Sequence, residues 1–356
     1  MTGAPRIERV QLNGADIEYD IRGSGEPVVF IHGAILSDGF VPVIEQTGIA
    51  ENFQIVHYRR RGYAGSSRAV AGMTMQGWAG DCIALLNHLG IASAHVAGHS
   101  FGAGIALQMA IDAPGRVRKL ALLEPPLLSL VPSGGQFTEW VASVRKIYGS
   151  GDKTAAMDIV LAGAYGQDYR RFTDVALPAG AFDRAVSDID TYFQVELGAM
   201  QHWNITTEGL KNIRHPVLSM RGSDTLPVFF EGADLLQQWI PEVDTMLIPR
   251  ASHDLPGRNP AAVATGLVEF FTKNDMSGQS VGTTRCLSHR SPRHIEETRR
   301  YLLDFKGCLT NTSTPLGVLD PDSELYERML SLHPNRVNPG SLWAAAKAAK
   351  SSSGHK

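Results

Sequence analysis

Gly98-His99-Ser100-Phe101-Gly102 sets a serine between two glycines, each one residue removed. A serine hydroxyl is a weak nucleophile. It attacks a carbonyl near neutral pH only with a base beside it and donors ready for the oxyanion that forms. The G-x-S-x-G spacing takes its meaning from its surroundings. His95-Val96-Ala97 before it reads as a short strand end, and Ala103 to Ala110 after it is rich in helix formers. Strand, sharp turn and helix together lift a serine oxygen clear of the backbone, as a nucleophile elbow. Strand and helix close on each other at that turn. A side chain at either glycine would clash, and a strained dihedral costs about 1–3 kcal/mol. Ser100 is therefore the expected nucleophile, with Gly98 and Gly102 as its supports.

The base should sit on a loop after a late strand. His253 follows the run Thr245-Met246-Leu247-Ile248, and it is expected to take the Ser100 proton and return it to the leaving group. The acid should follow the preceding strand. Asp224, in Gly222-Ser223-Asp224 just past Pro216 to Met220, is expected to fix the His253 tautomer. Glu124, which ends the run Lys119 to Leu123, is the alternative acid. For the oxyanion hole, one donor should be the backbone N–H of Phe101, directly after the nucleophile. The other is expected from Ala34 in His32-Gly33-Ala34, where Gly33 permits close approach and His32 shapes the loop. His99 adjoins Ser100, but neighbours in an elbow point apart, so it is read as structural. Asp81, on an expected helix, is read in the same way.

These groups need a scaffold. Arg6 to Leu12 and Ala15 to Ile21 alternate apolar and polar residues around Asn13-Gly14, the pattern of a hairpin. Pro27 to Ile31, Phe53 to Tyr58, Lys119 to Leu123, Pro216 to Met220 and Thr245 to Ile248 read as further strands. Between them, Met75 to Leu89 has helical spacing and stops at Gly90, while Leu235 to Ile240 and Ala261 to Phe271 also read as helices. Alternating strands and helices imply a mostly parallel central sheet with helices on both faces, an α/β fold. From about 125 to 212 the pattern changes to aromatic-rich helices broken by Gly-Pro segments, expected as a helical cap over the sheet.

The expected organisation is a domain over 1–274 and a C-terminal extension over 275–356. The extension is read as a linker plus short helices, of unassigned role. Its stretch His333 to Trp343 is similar to the C-terminal end of some metallo-β-lactamase-fold hydrolases, but the chain has no H-x-H-x-D-H metal motif. A detached fragment or an appended docking segment both fit.

Composition narrows the classes. Hydrophobic content of 43% and charged content of 19% suit a folded globule, and a net charge of −3 gives no footprint for nucleic acid. Cys82, Cys286 and Cys308 are too widely spaced for a metal site or a disulfide framework. No apolar leader follows Met1 and no run is long enough to span a membrane, so a cytoplasmic setting is expected. No metal and no cofactor are expected. The basic run Arg59-Arg60-Arg61 is read as solvated or paired with carboxylates.

His32-Gly33, Arg61-Gly62, Gly98 to Gly102, Gly222-Ser223-Asp224 and Ser252-His253 occur in an order that resembles the α/β-hydrolase fold family, in its serine hydrolase branch with a helical cap. The resemblance covers about residues 6–272. It departs at Arg59 to Ser66, where the family often has Asp-x-Arg-Gly-x-Gly-x-Ser and this chain lacks the acid and one glycine. The resemblance implies a serine esterase with a catalytic triad, carboxylesterase-like (EC 3.1.1), acting on a small-molecule ester through an acyl-enzyme. Lactone hydrolysis, C–C bond hydrolysis and cofactor-free perhydrolysis use the same triad and stay open, as does the oligomeric state. A ligand-binding receptor on a hydrolase scaffold is the non-enzymatic alternative. Serine rather than aspartate at the elbow speaks against epoxide hydrolysis and dehalogenation.

Overall fold

Alternation along the strands decides which side chains meet which helices. In β3 (Glu26–Ile31), Val28 and Phe30 point to one face of the sheet, and Val29 and Ile31 to the other. All four are fully buried, so the strand is covered on both sides. The computed structural model describes residues 6–273. Residues 275–356, and with them the expected linker, short helices and docking segment, lie outside the described residues.

Eight strands form one sheet. Besides β3 they are β1 (Glu8–Leu12), β2 (Ala15–Arg22), β4 (Phe53–Arg59), β5 (Ala94–His99), β6 (Val117–Leu123), β7 (Val217–Gly222) and β8 (Val243–Ile248). Their spatial order is β1-β2-β4-β3-β5-β6-β7-β8. The β1–β2 and β2–β4 pairs are antiparallel, and every pair from β4 to β8 is parallel. The Asn13-Gly14 hairpin turn has positive φ at both residues, 49° and 74°, the twist a two-residue loop needs.

The helices are α1 (Val41–Ile44), α2 (Thr47–Asn52), α3 (Met75–His88), α4 (Phe101–Asp112), α5 (Gly134–Gly149), α6 (Lys153–Tyr165), α7 (Tyr169–Ala176), α8 (Ala181–Asp190), α9 (Leu197–Gln201), α10 (Thr207–Lys211), α11 (Pro227–Trp239), α12 (Leu255–Arg258) and α13 (Pro260–Thr272). Trp78, Cys82, Leu85 and Leu86 of α3 and Ile105, Leu107 and Met109 of α4 pack on one face of the sheet. Val43 and Ile44 of α1, Ile49 of α2 and Val263, Leu267 and Phe270 of α13 pack on the other. The helix read at Leu235 to Ile240 begins earlier, because Pro227 occupies its first turn, where a missing N–H costs nothing.

Helices α5 to α10 lie between β6 and β7 and enclose a core of their own, with Val141, Val144, Met157, Leu161, Ile189 and Phe193. A π turn, Thr191–Glu196, joins α8 to α9. Buried polar contacts bind this layer to the sheet. Asp38 accepts from Arg59 at 2.6 Å and from Arg184 at 2.7 Å, Asp188 accepts from the Ala64 N–H at 2.7 Å, and the Thr191 hydroxyl donates to Gly62 O at 2.7 Å.

Candidate active site

Register brings the chemistry to one edge of the sheet. Ile31 pairs with Gly98, His99 with Leu123, Leu123 with Met220 and Gly222 with Ile248. The residues that follow these strand ends therefore lie side by side. They are His32 to Ala34, Ser100, Glu124 and the loops after β7 and β8.

Ser100 occupies the turn from β5 into α4 with φ 52° and ψ −120°, a backbone state that non-glycine residues rarely hold. Its N–H donates to Leu123 O at 2.8 Å. A Cβ at Gly98 would meet the Gly102 carbonyl, and one at Gly102 would meet the Ile31 and His32 carbonyls. The elbow therefore requires glycine at both positions.

The Ser100 hydroxyl faces His253 Nε2 at 2.9 Å. On the far side of the ring, Nδ1–H donates to Glu124 Oε2 at 2.5 Å. Glu124 also accepts from the Gly222 N–H at 2.7 Å and the Thr225 hydroxyl at 2.8 Å. The expectation for Asp224 is corrected. Asp224 is exposed, and its N–H donates to Ala251 O at 2.9 Å, so it holds the loop through its backbone. The carboxylate that meets His253 is Glu124, 2% exposed. The residue after β6 lies directly beside the elbow, whereas Asp224 stands two residues beyond the end of β7.

His253 is held from several sides. Its ring stacks on Phe229 of α11, with centroids 3.8 Å apart and planes 6° from parallel. His99, read as structural, is buried, and its Nε2–H donates to His253 O at 2.8 Å. The Ser252 hydroxyl donates to Tyr165 O at the end of α6, at 2.6 Å. Sequence reasoning missed Thr225, Phe229 and this use of His99. The adjacency of Thr225 to the Asp224 motif was the one available signal. Burial drives the His253 imidazole well below the usual histidine range, to about 3, which keeps the ring neutral in the resting protein. Burial raises the Glu124 carboxyl, and the Gly222 and Thr225 donors oppose that rise.

Ala34 lies partly exposed at the loop after β3, and Phe101 opens α4. Among the described residues no hydrogen bond within the protein takes up either N–H. Gly33 lets this loop approach the elbow, since a Cβ there would come within 3.2 Å of Ser100 Cβ. The three arginines at the end of β4 each meet a carboxylate: Arg59 meets Asp38, Arg60 meets Glu196 and Arg61 meets Asp81. Asp81 thus has a partner at 2.8 Å on the sheet side of α3. Cap aromatics reach the site in a chain. Trp140 lies 5.5 Å from Phe137, and Phe137 lies 6.0 Å from Phe229. Among the described residues no helix is long and apolar enough to cross a membrane.

An elbow serine, a histidine and a carboxylate on the C-terminal edge of a mostly parallel sheet define a hydrolase architecture. A family model described as the alpha/beta hydrolase fold matches residues 26–260, and the chain belongs to that family. Over 123 residues it is 36% identical to the dihydrolipoyllysine-residue acetyltransferase component of an acetoin cleaving system from Cupriavidus necator, covering 34% of this chain and 33% of that one. The chain spans less than half the length of the first curated relatives it matches. An enol-lactonase from Burkholderia xenovorans LB400 is similar with a TM-score of 0.63 and 22% identity, covering 75% of this chain and 100% of that one. A thermophilic esterase from Thermogutta terrifontis is similar with a TM-score of 0.64 and 20% identity, covering 75% and 98%. These structures share its fold.

Proposed function

We propose that the protein is a serine hydrolase of neutral carboxylic esters, working through an acyl-enzyme on Ser100 with His253 as base and Glu124 as the triad acid. The observation that carries this reading is the unbroken relay at the elbow, 2.9 Å from Ser100 Oγ to His253 Nε2 and 2.5 Å from Nδ1 to Glu124. Ser100 Oγ attacks the carbonyl carbon and its proton passes to Nε2. The carbonyl oxygen becomes an oxyanion and receives the Ala34 and Phe101 N–H groups, each such donor contributing about 2.7–4 kcal/mol to the transition state. The C–O bond to the alcohol breaks, and the imidazolium protonates the departing oxygen. Water, deprotonated by His253, then releases the acid and restores Ser100. Glu124 accepts the Nδ1–H throughout, which fixes the tautomer and stabilises the imidazolium.

The side chains beside His253 favour an apolar acyl group. Phe229 stacks on the ring and Tyr165 lies 6.0 Å from it, while Phe137 and Trp140 extend the aromatic row outward from Phe229, and ligand sites are commonly lined in this way. Open-chain esters and lactones present the same carbonyl, and similar structures include an esterase and an enol-lactonase. The test is hydrolysis of p-nitrophenyl butyrate, alongside a lactone panel, by wild type and Ser100→Ala. Loss of a serine nucleophile costs roughly 10⁶ in kcat. Equal rates for the two proteins would remove Ser100 from the mechanism.

A further inference from the structure

Behind the loop that carries the Ala34 N–H stands Arg60, a wholly buried guanidinium. Its Nε donates to His32 O at 3.0 Å, its Nη2 to Gly33 O at 2.8 Å and its Nη1 to Glu196 Oε1 at 2.7 Å. Glu196 closes the π turn of the cap and is itself fully buried. The Arg60 backbone N–H donates to His32 Nε2 at 3.0 Å, which leaves the His32 proton on Nδ1. That Nδ1–H donates to Gly33 O at 2.8 Å. One carbonyl, that of Gly33, therefore receives two donors, one of them cationic.

Peptide geometry gives this a consequence. Gly33 C=O and Ala34 N–H belong to one planar trans unit and point in opposite directions. Holding the carbonyl from behind fixes where the N–H points. Donors on the carbonyl also polarise the unit, which strengthens its N–H as a donor. The same guanidinium lies 4.8 Å from the ring centroid of Phe101, whose N–H is the other expected oxyanion donor, and 4.8 Å from that of Tyr63. The Tyr63 hydroxyl in turn accepts the Ile35 N–H at 3.0 Å, one residue past Ala34. Both donor segments thus rest on one buried cation.

We propose that Arg60 is a positioning residue for oxyanion stabilisation, aiming and polarising the Ala34 N–H through the Gly33 carbonyl. Glu196 holds its charge in place from the cap. The inference rests on Ser100 being the acylated residue. A purely structural arginine would lower stability. A residue that organises the oxyanion site must also lower kcat and weaken binding of tetrahedral adducts while leaving ground-state binding alone.

The experiment compares wild type, Arg60→Lys and Arg60→Met, with folding checked by circular dichroism. Three quantities are read: kcat and KM on p-nitrophenyl butyrate, and the Ki of an aryl trifluoromethyl ketone. Ser100 Oγ adds to that ketone, its proton passes to His253, and the hemiketal oxyanion forms where the ester oxyanion would. For Arg60→Met, kcat falls roughly 10²–10³-fold, KM moves by less than about threefold and Ki rises in step with the loss in kcat. Arg60→Lys keeps the charge but loses the planar fork, and it falls between the two. Folded Arg60→Met with kcat near wild type, a loss confined to KM, or an unchanged Ki overturns the proposal. If Arg60→Met does not fold, Arg60→Lys carries the test, and wild-type kcat and Ki in that variant overturn it. A wild type no faster than Ser100→Ala would instead refute the serine mechanism. A Ser100-dependent wild type matched by its Arg60 variants refutes this inference alone.

Discussion

Glu124 reaches His253 because β6 ends beside the elbow strand and a φ of 51° turns the residue after it toward the loop past β8. Its carboxylate then finds three donors: Gly222 N–H, Thr225 Oγ1–H and His253 Nδ1–H. Gly222 matters to that approach, since a Cβ there would run into the Ala251 and Ser252 carbonyls. Replacing Glu124 by glutamine offers an amide in place of a pure acceptor and disturbs the tautomer. Glu124→Gln should lower kcat on the order of 10⁴-fold. Asp224→Asn, at an exposed position, should leave kcat within about threefold. Kinetics of the two variants on one ester decide between the acids, and the reverse ranking would reinstate Asp224. Both carboxylates follow strands on the same edge of the sheet, so sequence spacing alone left Glu124 as the alternative. Three-dimensional adjacency of β5 and β6 separates them. Ser100 and His253 were legible because each follows a distinct strand pattern. The contacts of Arg60 were not, because burial under the loop after β3 leaves no trace in a run of three arginines.

At the scale of elements, the strand ends collect buried histidines. His57 lies on β4 beside Asp20, His99 ends β5, and His32 and His253 follow β3 and β8. Burial lowers all four, His57 to about 4 and His99 to about 3. The sign follows from proton binding. Below about 6.5 the unfolded chain takes up a proton on each ring while the folded chain does not, so stability is full above that pH. It falls as pH drops toward the folded values. Thermal melts should therefore show Tm dropping steeply from pH 6.5 to 5, before most carboxylates titrate. A flat Tm over that interval would mean that the rings are protonated in the folded protein. The strands that carry these histidines were readable from apolar runs and period-two alternation. The short helices α1 and α2 were not, since runs of four and six residues show too few turns for a period.

For the whole molecule, the cap is part of the site's framework. Ser252 and His253 are tied to the end of α6, Glu196 of the π turn secures Arg60, and Asp38 joins the loop after β3 to α8 through Arg184. Cap and sheet together hold Ser100, His253, Glu124 and the Ala34 and Phe101 N–H groups along one edge of the sheet. The central claim is that this constellation makes Ser100 the nucleophile. It is tested most directly by treating the folded protein with a fluorophosphonate and mapping the adduct by peptide mass spectrometry. Ser100 Oγ should attack phosphorus and expel fluoride, giving one stable adduct on the peptide that contains Gly98 to Gly102. His253→Ala should label far more slowly. An adduct on any other residue, or a wild type that stays unmodified, would contradict the account.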